Sequence, residues 1–388
     1  MGHSLRVMKV GIVVPFSWSF WGGVNEHAEL QADALQRLGI ETRRIMGNDP
    51  PGAFTRALHP RYGRHGDLPA DVIPVGRSVI VPANGSLPNI VLSPRTPFRI
   101  KQVLERERFD VLHLHEPMTP AICVATLALA RCPIVATFHA AGDLGWMKIG
   151  LPLWGFLMNR IDHRITVSEQ ARDSVVRWLP GEYDVIPNGV LIPPAADPGN
   201  RENRVVFIGR HDPRKGMPIL LQAWAEVHRQ TGARLRLVGA DPLAVRLLLA
   251  RNRVSEEGID ALGILSQEAL TGELQFAKAL AAPSIGMESF GMILTRAFAC
   301  ATPVVASDIS GYRAVMTPET GLLVPPGDPD ALAQGLIALV EDEPRRRSLG
   351  AAARRLAEER YSWERIGRRL VGLYELLADR APAAVSTR

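Results

Sequence analysis

The sequence predicts an α/β fold made of two doubly wound domains. The chain has 388 residues, more than one hydrophobic core usually supports. Short β-branched runs alternate with longer helical patterns, and this alternation begins again after residue 203. Alternation of this kind is typical of βαβ units on a parallel sheet, so we expect one such sheet in each half.

Ten β-branched runs are predicted as strands, five in each half. Those of the first half are Val10–Val14, Asp110–His113, Ile134–Phe138, Arg164–Val167 and Asp184–Ile186. Those of the second half are Arg204–Ile208, Arg234–Val238, Leu280–Ala282, Val304–Ala306 and Gly321–Val324.

A Pro/Gly-rich passage over 187–199 separates the two sets of strands and suits an exposed linker. We therefore predict an N-terminal domain over residues 1–190 and a C-terminal domain over 200–362, with a hinge between them. The helical pattern at 364–380 is a candidate to pack back on the first domain.

The composition is that of an ordinary globular protein, with 46% hydrophobic and 22% charged residues. The net charge of +5 is spread along the chain, so nucleic acid is not a predicted partner. Three cysteines without metal-ligand spacing indicate a reducing compartment and argue against a disulfide or zinc framework. With no signal sequence or membrane span in the pattern, we predict a cytoplasmic location, with peripheral contact at the inner face of the membrane as an alternative.

Loops that follow parallel strands are the places to search for ligand sites, because helix N-termini there present unpaired N–H groups. The first such loop, over 15–24, ends in Gly22 and Gly23 before a helical pattern. Two glycines let the backbone approach a phosphate closely, although an ordinary turn has the same sequence.

Two loops of the second half carry charged side chains. After the first strand come Arg210 and Lys215, two cations suited to a diphosphate leaving group or to a solvated basic turn. After the third comes Glu288-Ser-Phe-Gly291. Glu288 could accept hydrogen bonds from sugar hydroxyls or act only as a favourable charge at a helix start.

The ordered set of Gly-Gly, Gly-Arg-x(4)-Lys-Gly, Pro-Asn-Gly-Val, Glu-Ser-Phe-Gly and Thr-Pro-Val-Val-Ala-Ser resembles the family 4 retaining glycosyltransferases. The segments 81–86, 111–117 and 134–139 resemble the actinobacterial inositol-lipid mannosyltransferases within that family. The resemblance implies the GT-B fold, with two Rossmann-like domains facing a central cleft. It also implies transfer of a hexose, with mannose as a candidate, from a GDP- or UDP-sugar to a polyol, glycan or lipid headgroup. No metal and no cofactor besides this donor substrate are expected.

Carried over position by position, the resemblance assigns roles to individual residues. The catalytic group would comprise His139, Arg210, Lys215 and Glu288. The donor would be bound by Gly22, Gly23, Arg210, Lys215, Glu288, Ser289, Phe290, Gly291 and Arg296. The acceptor side would include Trp18, Trp21, Asn84 and Asp143. Taken alone, His139 is more typical of a structural cap than of a catalyst, and the two tryptophans could pack in the core or contact a membrane surface.

The chain departs from the family at two places. A second glutamate usually follows the first after seven residues, and here that position is Arg296. On the acceptor side, 89–91 and 140–144 lack the cations and hydroxyls of the inositol-lipid enzymes, which predicts an acceptor without a phosphate. A nucleotide-sugar binding protein with weak or lost activity is therefore the alternative. A sugar-nucleotide epimerase of the same architecture is disfavoured by the Glu-Ser-Phe-Gly and Gly-Arg-x(4)-Lys combination.

Overall fold

The computed structural model describes residues 7–59, 67–81, 88–139, 151–209, 212–252, 254–286 and 288–380. The chain divides into two compact units, and both contain a parallel sheet, so the predicted fold class is confirmed. The first unit comprises Met1–Gly189 with Trp363–Arg388, and the second comprises Val190–Ser362. None of the described helices combines the length and the apolar character needed to span a bilayer.

The described part of the first unit contains a sheet of nine strands. They are β1 (Lys9–Ser17), β2 (Glu41–Gly47), β3 (Val72–Pro74), β4 (Ser78–Ile80), β5 (Asn89–Val91), β6 (Val111–His115), β7 (Ile134–Phe138), β8 (His163–Thr166) and β9 (Asp184–Val185). Seven of them form a parallel array in the order β3-β2-β1-β6-β7-β8-β9. The β4–β5 pair is antiparallel and joins β1 at Phe16.

Helices cover both faces of this sheet. They are α1 (Gly23–Arg37), α2 (Ala53–Leu58), α3 (Thr96–Glu107), α4 (Ile122–Leu129), α5 (Leu151–Met158), α6 (Glu169–Val176) and, from the end of the chain, α14 (Trp363–Arg380). Side chains alternate along β1, so that Ile12 enters one core cluster and Val13 the other.

The C-terminal helix α14 belongs to the first unit because one stripe of its surface is apolar. Trp363, Ile366, Leu370, Tyr374 and Leu377 recur every three or four residues and are all buried in the core cluster that also holds α1. The chain therefore returns to its first unit after completing the second.

The second unit has six parallel strands in the order β12-β11-β10-β13-β14-β15. They are β10 (Glu202–Ile208), β11 (Arg234–Val238), β12 (Ile259–Gly263), β13 (Ala277–Ala282), β14 (Val304–Ser307) and β15 (Gly321–Val324). The helices are α7 (Met217–Thr231), α8 (Pro242–Asn252), α9 (Gln267–Phe276), α10 (Met292–Ala299), α11 (Ser310–Arg313), α12 (Pro329–Glu341) and α13 (Glu343–Leu356).

Each sheet reverses its strand order at one point. In the second unit the chain winds outward from β10 to β12 and then returns to place β13 on the other side of β10. In the first unit the same reversal lies between β1 and β6. Doubly wound sheets bind ligands beyond the carboxyl ends of the strands at such a switch point, so the loops after β10, β13, β1 and β6 are the places to examine.

Candidate functional site

The loop after β10 is shaped by a capped turn and a glycine. Asp212 accepts a hydrogen bond from the Arg214 backbone N–H at 3.0 Å and begins a short 3₁₀ turn over Pro213–Lys215. Gly216 then adopts φ of 72°, and a Cβ atom there would lie 1.9 Å from the carbonyl oxygen of Pro283. Only glycine therefore allows this loop to approach the loop after β13.

The loop after β13 leads directly into α10. The Ile285 backbone N–H donates to the Arg214 carbonyl at 2.9 Å, so the two loops are hydrogen-bonded to each other. Gly291 is the N-cap of α10, with φ of 78° and no side-chain cap, which leaves the first N–H groups of the helix for another acceptor. The Phe290 ring beside it is buried and packs edge-on against Tyr361.

A salt bridge between Lys215 and Glu288 joins the two loops. Lys215 Nζ lies 2.5 Å from Glu288 Oε1, and the side chains are 26% and 15% exposed. Glu288 Oε1 also accepts from the Ser284 hydroxyl at 3.2 Å. The pair is thus held at the switch point of the second sheet while remaining accessible to a ligand.

Two arginines, one in the loop after β10 and one in α10, differ in their environments. Arg214 is bound by Asp212 through several N–H donors, the shortest contact being 2.6 Å, and this pairing raises the pKa of Arg214. Arg296 lies in α10, and burial lowers the pKa of its guanidinium to about 10, so it stays charged at neutral pH. Arg296 is therefore a partly desolvated cation on the helix that follows Glu288.

In the first unit the loop after β1 is held by hydrogen bonds from the side chains of Ser19 and Asn25. The Asn25 amide donates to the carbonyls of Ser17 and Phe20, at 2.8 and 2.9 Å. The N-terminus of α1 follows at Gly23, and its N-cap Gly22 makes no side-chain hydrogen bond. A Cβ on Gly22 would meet nothing within 4 Å, so the backbone here borders open space.

His139 follows β7 and is 8% exposed. Its backbone N–H donates to Glu116 Oε1 at 2.9 Å, and its Nε2 lies 2.9 Å from His115 Nδ1. Burial lowers the pKa of His139 to about 3, against a smaller opposite effect of Asn188. The imidazole is therefore neutral at pH 7, so it can donate or accept a hydrogen bond but cannot act as a general acid.

A buried histidine cluster, formed by His27, His113, His115 and His139, surrounds this residue. The ring of His27 packs edge-on against those of His115 and His139, and His113 stacks on His115. Burial lowers the pKa of each of these four imidazoles. The cluster is consequently a set of neutral rings in the core beside the carboxyl ends of β6 and β7.

The histidine cluster is connected to the C-terminal helix. His113 Nδ1 lies 2.6 Å from the Tyr374 hydroxyl and 2.9 Å from Gln31 Nε2, and its Nε2 lies 2.7 Å from the Thr137 hydroxyl. Because the Gln31 amide nitrogen can only donate, Nδ1 accepts and the ring proton of His113 resides on Nε2. The tautomer of His113 is thus set by partners that are distant in the sequence, with Thr137 24 positions away and Tyr374 261 positions away.

Among the described residues, His27, His115 and His139 form the one group whose ligand atoms are near enough to suggest a metal, all within 4.8 Å of one another. Tetrahedral zinc with Zn–N bonds of about 2.0–2.1 Å needs ligand nitrogens about 3.4 Å apart. The contact of 2.9 Å between His115 and His139 instead fits a hydrogen bond. We interpret the cluster as a hydrogen-bonded one.

The chain also contains one Asp-x-Asp sequence, a pattern that can bind metal in other transferases, at Asp328-Pro329-Asp330. Asp328 is the N-cap of α12 and accepts from the Ala331 backbone N–H at 2.9 Å. This carboxylate therefore has a structural role as a helix cap.

Comparison with known proteins decides the family. A family model described as Glycosyltransferase Family 4 matches residues 21–191, and one described as Glycosyl transferases group 1 matches 202–342. The chain belongs to glycosyltransferase family 4. It is 34% identical over 384 residues to the phosphatidyl-myo-inositol mannosyltransferase of Mycobacterium leprae, which covers 96% of this chain and 97% of that protein. The Mycobacterium tuberculosis H37Rv enzyme of the same name is 32% identical, with coverage of 96% and 97%.

Solved structures show that this family 4 chain has the GT-B fold. Sucrose-phosphate synthase from Thermosynechococcus elongatus superposes with a TM-score of 0.72 at 22% identity, covering 95% of this chain and 99% of that one. Anabaena HepE in complex with UDP and glucose gives a TM-score of 0.70 at 19% identity, covering 95% and 100%. The chain is therefore a glycosyltransferase built from two parallel-sheet α/β units.

The structure brings together part of the predicted site. Lys215 and Glu288 are in contact, and 289–291 leads from them into α10. Trp18 is 8% exposed and packs in the core of the first unit, whereas Trp21 is 45% exposed. Arg210, Asn84 and Asp143 lie outside the described residues.

Sequence reasoning singled out one histidine of a cluster of four and missed Tyr312, which bonds to Ser284. A usable signal was the spacing of His113 and His115, since residues two apart on a strand place both side chains on one face of the sheet. His27 and Tyr312 come from distant helices, and no local pattern marks them.

Proposed function

We propose that this family 4 glycosyltransferase transfers a hexose, with mannose as the first candidate, from a nucleoside diphosphate sugar to an alcohol acceptor with retention of anomeric configuration. Mannose is favoured because the relatives from Mycobacterium that share about a third of the sequence are phosphatidyl-myo-inositol mannosyltransferases. The acceptor hydroxyl would belong to a polyol, a glycan or a lipid headgroup.

The observation that carries this proposal is the Lys215–Glu288 pair at the switch point of the second unit. One loop supplies a cation for the diphosphate, and the other supplies a carboxylate for sugar hydroxyls together with a helix N-terminus for phosphate oxygens. A nucleotide sugar carries both chemical groups, a diphosphate and a hydroxylated ring joined through the anomeric carbon. The second unit is therefore proposed to bind the donor.

In the proposed reaction the acceptor oxygen bonds to the anomeric carbon on the face from which the diphosphate departs. The bond between that carbon and the diphosphate oxygen breaks, and the acceptor proton passes to the leaving phosphate. Lys215 stabilises the negative charge that develops on the diphosphate. His139, neutral at pH 7, is proposed to act as a hydrogen-bonding group and not as a proton carrier.

A transfer assay tests the proposal and identifies the donor. GDP-mannose, UDP-glucose and GDP-glucose are each incubated with the chain, first alone and then with phosphatidylinositol vesicles, free myo-inositol or a mannose oligosaccharide. We expect one donor to support formation of an α-linked product with one acceptor. Absence of both transfer and donor hydrolysis, with binding retained in a melting-shift assay, would instead establish the binding-protein alternative.

The choice of acceptors in this assay distinguishes a lipid acceptor from a soluble one. The named relatives favour phosphatidylinositol, whereas the sequence on the acceptor side lacks phosphate-binding cations at 89–91. Product only with vesicles would favour a lipid headgroup and contact with a membrane surface. Product with free inositol or oligosaccharide would favour a soluble acceptor and leave membrane contact without support.

Arg296 is the residue that favours the binding-protein alternative, because it replaces an acidic position of the family pattern. If its guanidinium holds the ribose or phosphates, Arg296→Gln should weaken nucleoside diphosphate binding about tenfold or more, the loss expected for one charge-assisted hydrogen bond. Isothermal titration measures this change. Arg229→Gln, at an exposed surface salt bridge with Glu226 in the last turn of α7, is the control. Equal dissociation constants for wild type and Arg296→Gln would remove Arg296 from the site.

A further inference from the structure

Tyr312 connects two loops of the second unit at the carboxyl ends of their strands, the loop after β13 and the loop after β14. It lies in α11, which follows β14, and is 0% exposed. Its hydroxyl is 2.8 Å from the Ser284 hydroxyl, which follows β13. Its ring also packs against Gly291, where an added Cβ would come within 2.9 Å of the ring. One side chain therefore contacts both ends of the segment that carries Glu288.

Tyr312, Ser284 and Glu288 form a series of hydrogen bonds, and the last acceptor, the Glu288 carboxylate, sets the direction of the series. An ionised carboxylate can only accept, so Ser284 donates its proton to Glu288 Oε1, 3.2 Å away. The Ser284 oxygen is then left to accept, and Tyr312 must donate to it. Burial, with the nearby charge of Glu288, raises the pKa of Tyr312, which keeps this donor protonated.

Both hydrogen bonds that Glu288 makes to described residues are on the same oxygen. Lys215 Nζ and the Ser284 hydroxyl converge on Oε1. Donors on one oxygen fix the plane and rotation of a carboxylate, and aligned hydrogen bonds in a buried chain strengthen one another. Oε2 is thereby oriented to accept from a ligand hydroxyl.

We propose that Tyr312 is a positioning residue for sugar recognition, acting through Ser284 to orient the Glu288 carboxylate toward a hydroxyl of the donor sugar. This inference rests on the proposed function, in which Glu288 binds the sugar. Neither Tyr312 nor Ser284 touches the donor in this account. Their contribution depends on the position of Glu288 and not on charge or on nucleotide contacts.

Tyr312→Phe tests the proposal because it removes the hydroxyl while retaining the ring against Gly291. We expect the affinity for the nucleotide sugar to fall about tenfold, the effect of losing one hydrogen bond in a polar network, with the affinity for the nucleoside diphosphate alone unchanged. Ser284→Ala should have the same effect, and the double variant should lose no more than either single variant. If the affinity losses of the two single variants multiplied in the double variant, the two hydroxyls would act independently and not through one series of hydrogen bonds.

Two comparisons keep the outcomes distinguishable. Tyr183→Phe removes a partly buried hydroxyl from the first unit, where it donates to the Leu179 carbonyl, and should change neither affinity. Glu288→Ala tests the proposed function itself. If Glu288→Ala lowers sugar-nucleotide affinity while folded Tyr312→Phe and Ser284→Ala do not, Tyr312 has no positioning role. If Glu288→Ala also has no effect, the assignment of the donor site fails.

Discussion

Lys215→Ala is expected to lower kcat for sugar transfer by about 100-fold or more, the typical loss when one preorganised charge is removed from a developing anion. The Lys215 ammonium lies at the switch point of the second sheet, where it contacts Glu288. In the transition state the departing diphosphate would gain negative charge, and alanine could not stabilise it. Steady-state kinetics with a saturating donor measures the change.

The matched control is Lys278→Ala. Lys278 is near the N-terminal end of β13 and bonds to Asn203. The substitution therefore removes the same charge from the same sheet, but at the amino ends of its strands and away from the proposed site. Its kcat should stay near that of the wild type. Melting temperatures of both variants should change little, because Lys215 loses a partly exposed ion pair that contributes about 0–1 kcal/mol and Lys278 loses an exposed hydrogen bond. A Lys215→Ala enzyme with unaltered kcat would refute the electrostatic role.

Acidification from pH 7.5 to 5.5 is expected to destabilise the first unit strongly. The pKa of His113 and of His139 is lowered to about 3, and those of His27 and His115 are lowered as well. In the unfolded chain a histidine titrates near pH 6.5, so below that pH the unfolded state binds protons that the folded state excludes. The free energy of unfolding then falls by on the order of 1 kcal/mol per histidine.

Scanning calorimetry across this pH range measures the effect, and the number of protons taken up on unfolding gives the count of buried histidines. His113→Gln should lower proton uptake by about one at pH 5.5. His228→Gln, which alters a histidine of the second unit outside the cluster, is the control. Stability of the first unit that does not vary between pH 7.5 and 5.5 would show that the rings are not kept neutral by burial.

Sequence periodicity found ten of the fifteen described strands and missed β2, β3, β4, β5 and β12. β2 contains Glu41, Arg43 and Arg44, which break the apolar pattern of a buried strand. The structure compensates for the burial of Arg44 by a bidentate pair with Asp71, at 2.5 and 2.9 Å, a contact that no window of sequence reveals. β12 lies at a sheet edge and is only partly buried, so its pattern is weak.

The candidate site was only partly predictable for a similar reason. Lys215 and Glu288 each stood out within a short loop, but the parallel sheet brings them into contact across 73 residues. The partners of His113 in α14 and of Ser284 in α11 depend on how distant helices pack. Motifs therefore marked the residues that are proposed to carry the chemistry, while the residues that contact and orient them became visible only in the fold.

The most direct test of the central claim is calorimetric titration of the wild type, Lys215→Ala and Glu288→Ala with a nucleoside diphosphate and with its sugar adduct. We predict that Lys215→Ala weakens binding of both ligands, because both carry the diphosphate, and that Glu288→Ala weakens binding of the sugar adduct alone. Wild-type affinities for both ligands in both variants would contradict a donor site at the switch point of the second unit.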